Sequence, residues 1–150
     1  MTSPIQQHEI DNFFNRYEAR FNDALTGGQP DIEETATSFA ESFVEASPAG
    51  IIVGKNDEKF QESLSKGWNF YKDIGVQSID ILSTQTTILD NLHAIVRVHW
   101  NCVFVRKNDS QGEVAFNVFY LLQKQEENLK IFAYVTGDEQ QVLKEEGLIP

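Results

Sequence analysis

Cysteine is nearly absent from this sequence: Cys102 is the only one among 150 residues. An intrachain disulfide is therefore excluded. A protein without disulfides fits a reducing compartment, so the expected location is the cytoplasm. No apolar run approaches the ~20 residues that a membrane-spanning helix needs. The opening segment MTSPIQQHEI has neither a basic nor an apolar stretch. We therefore expect no signal peptide and no membrane partner.

Basic residues are also scarce, since 12 Lys and Arg stand against 23 Asp and Glu, for a formal net charge of -11. A negative surface repels phosphate backbones, and nucleic-acid-binding proteins usually carry a basic stripe. The basic step VRKND at 105–109 is too short to form one. The sequence therefore predicts no nucleic-acid partner.

Patterns typical of metal and cofactor sites are missing as well. His99 and Cys102 are three residues apart on a predicted strand, so they face opposite sides of it. His93 and His99 share a face but lie roughly 20 Å apart at the rise of a strand. No three ligands converge locally, and no segment matches a phosphate-binding loop. We expect no metal and no cofactor.

Apolar residues at spacings of three and four in the first half predict three helices. They cover 5–25, 32–46 and 58–75, with Pro30 and Asp31 as the start of the second and Gly75 as the end of the third. A short extended piece at 51–54 precedes the third helix. The 137–150 tail is predicted as a short polar helix or a loose end.

After Gly75 the apolar period changes to two, which predicts a meander of four strands. The strands cover 76–89 and 92–106, and then two more within 112–137 that turn at KQEEN. Helices followed by strands predict a single α+β domain with a core at about 8–136, in which three N-terminal helices pack on a strongly curved antiparallel sheet.

Several segments in this order resemble the nuclear transport factor 2-like fold, also called the SnoaL-like fold or cone-shaped α+β barrel. They are FFNRYEARFNDAL, SFAESFVEASP, IIVG, FNVFYLLQK and LKIFAYV. The resemblance implies a cone-shaped pocket between the concave sheet face and the helices. It also implies that the convex face packs against a second subunit. Left exposed, the apolar residues of that face would form an unusually large patch, so a homodimer is expected. They are Phe119, Leu121, Phe132 and Tyr134. The alternative is that the C-terminal tail covers them.

The predicted lining of the cone is mostly apolar, as is usual for a small-molecule site. Apolar side chains at these periods also fill cores by default, and that alternative stays open. The helices would contribute Tyr17, Phe21, Phe43, Trp68 and Tyr71. The strands would contribute Val96, Val98, Trp100, Cys102, Phe104, Val118, Tyr120, Ala133 and Val135.

Ketosteroid isomerase, the best-understood enzyme of the superfamily, uses an Asp base with a Tyr and a protonated Asp as its oxyanion hole. The RY step here places Tyr17 at the position similar to the oxyanion tyrosine, and Tyr120 falls near the third position. Ser47 stands where the aspartate base is expected. A serine of ordinary pKa cannot remove a carbon-bound proton. Tyr17 as a core tyrosine is the alternative.

Other enzymes of the superfamily, such as epoxide hydrolases and dehydratases, use Asp, Arg and His inside the cone. If the two faces of strand 92–106 were exchanged, the side chains that point inward would be polar. They would be Asp80, Arg97, His99 and Asn101. His99 could then act as a base oriented by Asp80.

Three hypotheses follow. The first is a homodimer that binds a small hydrophobic molecule, such as a carbonyl compound, in an apolar pocket. The second is an isomerase, dehydratase or cyclase that uses Tyr17 and Tyr120, or Asp80, Arg97 and His99. The third is a protein-interaction module with a filled cone, as nuclear transport factor 2 itself is. Its acidic helices or its tail would then carry the partner surface.

Overall fold

A computed structural model describes residues 2–28 and 31–150. The helices are α1 (Gln7–Leu25), α2 (Ile32–Thr37), α3 (Glu58–Asp73) and α4 (Glu139–Glu145). The strands are β1 (Phe39–Ser47), β2 (Gly50–Lys55), β3 (Val76–Ile88), β4 (His93–Val105), β5 (Gln111–Gln125) and β6 (Asn128–Val135). The predicted α+β class is confirmed, with helices packed on a curved, mostly antiparallel sheet.

The sheet has six strands in the order β2-β1-β6-β5-β4-β3. The predicted meander is the antiparallel series from β3 to β6. The hairpin of β1 and β2 extends this meander, because β1 pairs with β6 in parallel. The predicted extended piece at 51–54 lies within β2.

The predicted second helix is wrong beyond Thr37, because 39–47 forms strand β1. Phe39 and Phe43 are both buried. Their spacing of four suits a helix, but it is also even, which places both on one face of a strand. Hydrogen bonds to β2 and β6 on either side stabilise the extended form. The predicted Asp31 cap is confirmed, since its carboxylate accepts from Glu34 N, whereas Pro30 lies outside the described residues.

Strand β4 lies inside the sheet, and its alternation is the clearest in the chain. Its even-numbered residues from Ala94 to Phe104 are buried, and Arg97 on the opposite face is exposed. The predicted orientation of this strand is confirmed. Its buried face packs in one core with Ile10, Phe13 and Phe14 of α1.

Helix α1 covers the free edge of β3. The Asn22 amide donates to Ile79 O and accepts from Ile79 N, each at 2.9 Å. The Glu18 carboxylate accepts from Ile81 N. These side chains replace a neighbouring strand at Ile79 and Ile81, so the edge is covered around these two residues. Within 2–28 and 31–150, no helix has the length and apolar character to cross a membrane.

A register shift changes which residues of β6 face the core. Leu122 pairs with Ile131, but Leu121 pairs with Ala133, so the alternation moves by one residue. Tyr134 then pairs with Tyr120 on the inner face, and Val135 pairs with Phe119 on the outer face. The predicted inward orientation of Ala133 and Val135, and the outward one of Tyr134, were wrong for this reason.

The C-terminal segment packs on the core as helix α4. Leu143 and Leu148 are buried. The Arg106 Nε donates to Glu146 O at 2.6 Å, and its guanidinium lies 3.3 Å from the Glu146 carboxylate. These contacts hold α4 against the sheet, so the segment is a helix and not a loose end.

Candidate functional site

A cavity of about 240 Å³ lies between the inner face of the sheet and helices α1, α3 and α4. Its lining is mainly aromatic, because large residues on the inner faces of the strands meet those of the helices. The aromatic residues are Tyr17, Phe21, Phe39, Phe60, Tyr71, Trp100, Phe116, Tyr120 and Tyr134. Such a lining is suited to an apolar or aromatic ligand body.

Tyr17, Trp100 and Tyr120 form a contiguous polar and aromatic group in the cavity wall. The Tyr17 ring centroid lies 6.1 Å from that of Tyr120 and 6.3 Å from that of Trp100. The Trp100 Nε1 donates to the Tyr120 hydroxyl at 3.3 Å. In the described part of the chain, neither tyrosine hydroxyl donates a hydrogen bond to protein, so both protons can be offered to a ligand.

Burial disfavours the charged forms of these groups and raises their pKa further above neutral pH. It raises the pKa of Tyr17 to about 12, against the smaller opposing effect of the Arg20 charge. Burial first, and then interaction with Tyr17, raises the pKa of Tyr120 well above its ordinary value. Burial also raises the pKa of the Cys102 thiol to about 11. At neutral pH the tyrosines are therefore donors, and the thiol is a weak nucleophile.

Acidic residues mark the side of the cavity closed by α4. Asp138 caps the helix by accepting from Gln141 N at 3.0 Å. Glu139 lines the cavity and remains exposed to solvent, which places its carboxyl at the mouth. Partial loss of hydration, and then the Glu45 carboxylate, raise the pKa of Glu139. Burial, and then Glu45, also raise the pKa of Tyr134.

Seven of the residues predicted for the site line this cavity: Tyr17, Phe21, Tyr71, Trp100, Cys102, Val118 and Tyr120. Trp68 and Val98 are instead buried in the core behind the wall. Phe43 lines a separate depression beside β2. Ala133 and Val135 lie on the outer face, as the β6 register requires.

The polar set proposed for an inverted strand lies outside the cavity. Arg97 is exposed on the outer face, and the His99 Nδ1 lies 2.8 Å from Asn117 Oδ1 there. Asp80 pairs in register with Asn101, whereas His99 pairs with Ser83. Asp80 and His99 are therefore not partners across the strands. The inverted orientation of β4 was wrong, because it would have exposed the buried Val96, Val98 and Trp100.

Ser47, at the position similar to the isomerase base, ends strand β1. Its Oγ accepts from Ala49 N at 3.2 Å in the turn to β2. It is not among the cavity-lining residues. The chain therefore differs from the isomerase at this position both in chemistry and in location.

Several lining residues differ from the sequence prediction. The pattern predicts Phe39 on a helix, Tyr134 on the outer face, and Glu139 and Val142 in the tail, whereas all four line the cavity. The adjacent Val142 and Leu143, in the otherwise polar stretch 138–146, were the available signal that α4 packs on the cavity. The β6 shift has no comparable signature in the sequence.

Comparison with known proteins agrees with this geometry. The chain matches the family described as NTF2-like protein (DUF6841) over residues 8–139. The protein belongs to this NTF2-like family. Among curated proteins, none matches the chain. The predicted membership of the superfamily is confirmed.

Solved NTF2-like structures share the fold at low sequence identity. A protein with a cystatin-like fold from Novosphingobium aromaticivorans has a TM-score of 0.67 at 12% identity, covering 96% of this chain and 88% of its own. An NTF2-like protein of unknown function from Shewanella oneidensis MR-1 has a TM-score of 0.65 at 14% identity. The match covers 89% of this chain and 100% of the other. A ketosteroid isomerase-like protein from Erwinia carotovora atroseptica has a TM-score of 0.58 at 18% identity, covering 87% and 93%. These similarities show the fold alone.

Proposed function

We propose that this NTF2-like protein binds a small hydrophobic molecule with a hydrogen-bond acceptor, such as a carbonyl compound, in the 240 Å³ cavity. The observation that carries the proposal is the pair of protonated tyrosine hydroxyls, Tyr17 and Tyr120, in an open aromatic cavity. A carbonyl oxygen would accept from them, and an apolar body would replace water against the rings. An open cavity favours a ligand-binding role over an interaction module with a filled cone.

A second candidate is an isomerase-type or dehydratase-type activity in the same cavity. Tyr17 and Tyr120 would hold a developing oxyanion. The observation that favours it is Glu139, a cavity carboxyl of raised pKa that could move a proton. Turnover of a bound ketone, abolished by Glu139→Gln with binding retained, would establish this alternative.

The carbonyl proposal predicts a preference between two probes of nearly equal shape, acetylnaphthalene and ethylnaphthalene. The ketone should bind about two- to tenfold more tightly, because a hydrogen bond to a buried donor contributes about 0.5–1.5 kcal/mol. Tyr17→Phe and Tyr120→Phe together should remove this difference and leave the binding of the hydrocarbon unchanged. Quenching of tryptophan fluorescence measures both affinities, since Trp100 lies in the wall.

Asn117→Asp is a suitable control, because Asn117 lies on the outer face beside His99. It should leave both affinities as in the wild type. If neither probe binds to the wild-type protein, hydrophobic binding in this cavity is disproved. If the ketone preference survives the double tyrosine variant, the two hydroxyls do not recognise the ligand.

We also propose that the protein is a homodimer through the outer face of the sheet. Phe119 and Val135 pair across β5 and β6 and are 41% and 43% exposed. Leu121 and Ala133 pair beside them, and Val44 of β1 continues the row. An apolar surface of this kind usually marks an interface. A cytosolic location, drawn from the single cysteine, stays a prediction.

Phe119→Asp is expected to convert the dimer to a monomer, because a carboxylate at the centre of an apolar interface would be buried without a partner. Sedimentation velocity should show the change in mass at micromolar concentration. Leu82→Asp is the control, since Leu82 is also exposed but lies on the edge strand β3, with β4 between it and β5. A wild-type monomer, or a dimer retained by Phe119→Asp, would disprove the interface.

A further inference from the structure

We propose that Phe60 determines the ligand specificity of the cavity by limiting the length of the ligand. The ligand class is then a compact cyclic carbonyl compound with a short substituent. Molecules with a long alkyl chain, such as fatty acyl compounds, would gain no affinity from the chain. This inference rests on the proposed function and adds the size of the ligand to it.

Four aromatic rings form a partition between the cavity and the depression beside β2. The cavity measures about 240 Å³ and the depression about 320 Å³. Phe60 and Tyr134 line both of them. Phe39 lines the cavity, and Phe43 lines the depression. The partition therefore consists of two shared rings with one further ring on each side.

The rings of the partition pack closely against one another. The Phe60 ring centroid lies 4.7 Å from that of Phe43 and 5.0 Å from that of Phe39. The Tyr134 ring centroid lies 6.5 Å from that of Phe43 and 6.1 Å from that of Phe39. Packed aromatic pairs have centroids about 4.5–7 Å apart. A ligand chain could therefore enter the depression only by displacing one of the rings.

The surrounding backbone holds the partition in place. The carboxylate that caps the start of α3 accepts from Phe60 N at 3.0 Å. The Asn56 amide donates to Phe39 O at 3.1 Å, which joins the segment before α3 to the start of β1. The Phe43 ring packs on Gly54 of β2, where a Cβ would lie 2.5 Å from the ring. These contacts leave the rings little room to move aside.

The volume of the cavity suits a compact ligand. Sites for drug-sized ligands measure about 300–1,000 Å³, and the cavity lies just below that range. Joined to the depression, it would lie within the range. A chain that left through the mouth beside α4 would remain in water and gain no hydrophobic stabilisation. The partition therefore decides whether a longer chain can contribute to binding.

Two ketones that differ only in the length of the alkyl chain test the inference: acetylnaphthalene and hexanoylnaphthalene. The wild-type protein should bind both with affinities within about threefold of each other, because the added chain finds no apolar surface. Phe60→Ala should bind hexanoylnaphthalene at least about tenfold more tightly than acetylnaphthalene. Each methylene that becomes buried over Phe43 raises the affinity about fourfold. Quenching of Trp100 fluorescence on the full chain measures the affinities.

Leu64→Ala is the matched control. Leu64 lies one turn further along α3 and is among the residues that line the cavity, whereas the described lining of the depression does not include it. Its truncation enlarges the cavity without opening the partition, so the ratio of the two affinities should stay as in the wild type. Phe60→Leu should give an intermediate ratio, and it decides the question if Phe60→Ala does not fold. Circular dichroism checks the folding of each variant.

The outcomes separate this inference from the proposed function. Equal affinities for the two ketones in a folded Phe60→Ala variant would overturn the size limit and leave hydrophobic binding standing. The same holds if the wild-type protein already prefers the long chain tenfold, or if Leu64→Ala shifts the ratio as much as Phe60→Ala. Loss of both ketones in Phe60→Ala would make Phe60 a ligand contact and not a limit. If neither ketone binds to the wild-type protein, the proposed function fails, and this inference fails with it.

Discussion

Gly75→Ala is expected to destabilise the protein by at least ~3 kcal/mol, a large part of the 5–15 kcal/mol that holds a typical domain folded. Gly75 joins α3 to β3 with φ of +103°, a conformation that residues with a Cβ rarely adopt. A Cβ built there would lie 2.1 Å from Val105 O. The clash also displaces the hydrogen bond from Val105 N to Gly75 O, 2.9 Å in the wild type.

The same substitution at Gly67 provides a control of opposite sign. Gly67 lies within α3, and a Cβ there would meet no atom within 4 Å. Gly67→Ala should therefore stabilise the protein by up to about 1 kcal/mol, since alanine favours the helix more than glycine does. Urea unfolding followed by circular dichroism gives both changes. Equal midpoints for the two variants would contradict this account of the α3–β3 junction.

Phe14→Ala is expected to cost about 3–5 kcal/mol, as is usual for a fully buried phenylalanine. Phe14 is 1% exposed, and its ring lies 5.0 Å from Phe13 and 5.1 Å from Tyr120. The Phe14 ring centroid also lies 6.3 Å from that of Tyr17. The loss should therefore loosen the two hydroxyl-bearing side chains and reduce the preference for acetylnaphthalene, in addition to lowering stability.

Phe70→Ala tests whether the destabilisation depends on how deeply a phenylalanine is buried and not only on the type of residue removed. Phe70 is 38% exposed and packs against Tyr71, with ring centroids 5.8 Å apart. Its removal should cost about 1–2 kcal/mol, less than that of Phe14, because more than a third of the side chain already contacts water. A comparable destabilisation by both variants, measured by urea unfolding, would show that α3 contributes more to the core than its burial indicates.

The residues whose pattern matched one secondary structure alone were predicted correctly. Strand β4 alternates strictly between apolar and mixed residues over thirteen positions, which a helix cannot reproduce. Helix α1 carries a stripe at spacings of three and four, which placed Tyr17 and Phe21 against the sheet. In β1 the apolar spacing of four suited both forms. Its strand partners, distant in sequence, decided the outcome.

The candidate site was predicted in part for the same reason. Tyr17, Trp100 and Tyr120 lie on elements with an unambiguous period, and all three line the cavity. Tyr134 and Glu139 depend on a register shift in β6 and on the packing of α4, which are set by contacts between distant segments. The acidic mouth was missed because the β6 shift leaves no local pattern, and the adjacent Val142 and Leu143 do not by themselves determine where α4 packs.

By itself, the sequence determined the α+β class, the alternation of β4 and the acidic balance, because periodicity and composition are local properties that need no partner. The tertiary structure alone decided three things: that 39–47 is a strand, that Tyr134 faces inward, and that α4 closes the cavity. Each depends on hydrogen bonds or apolar contacts between segments far apart in the chain. The free energy of those contacts exceeds the weak local preferences of the segments involved.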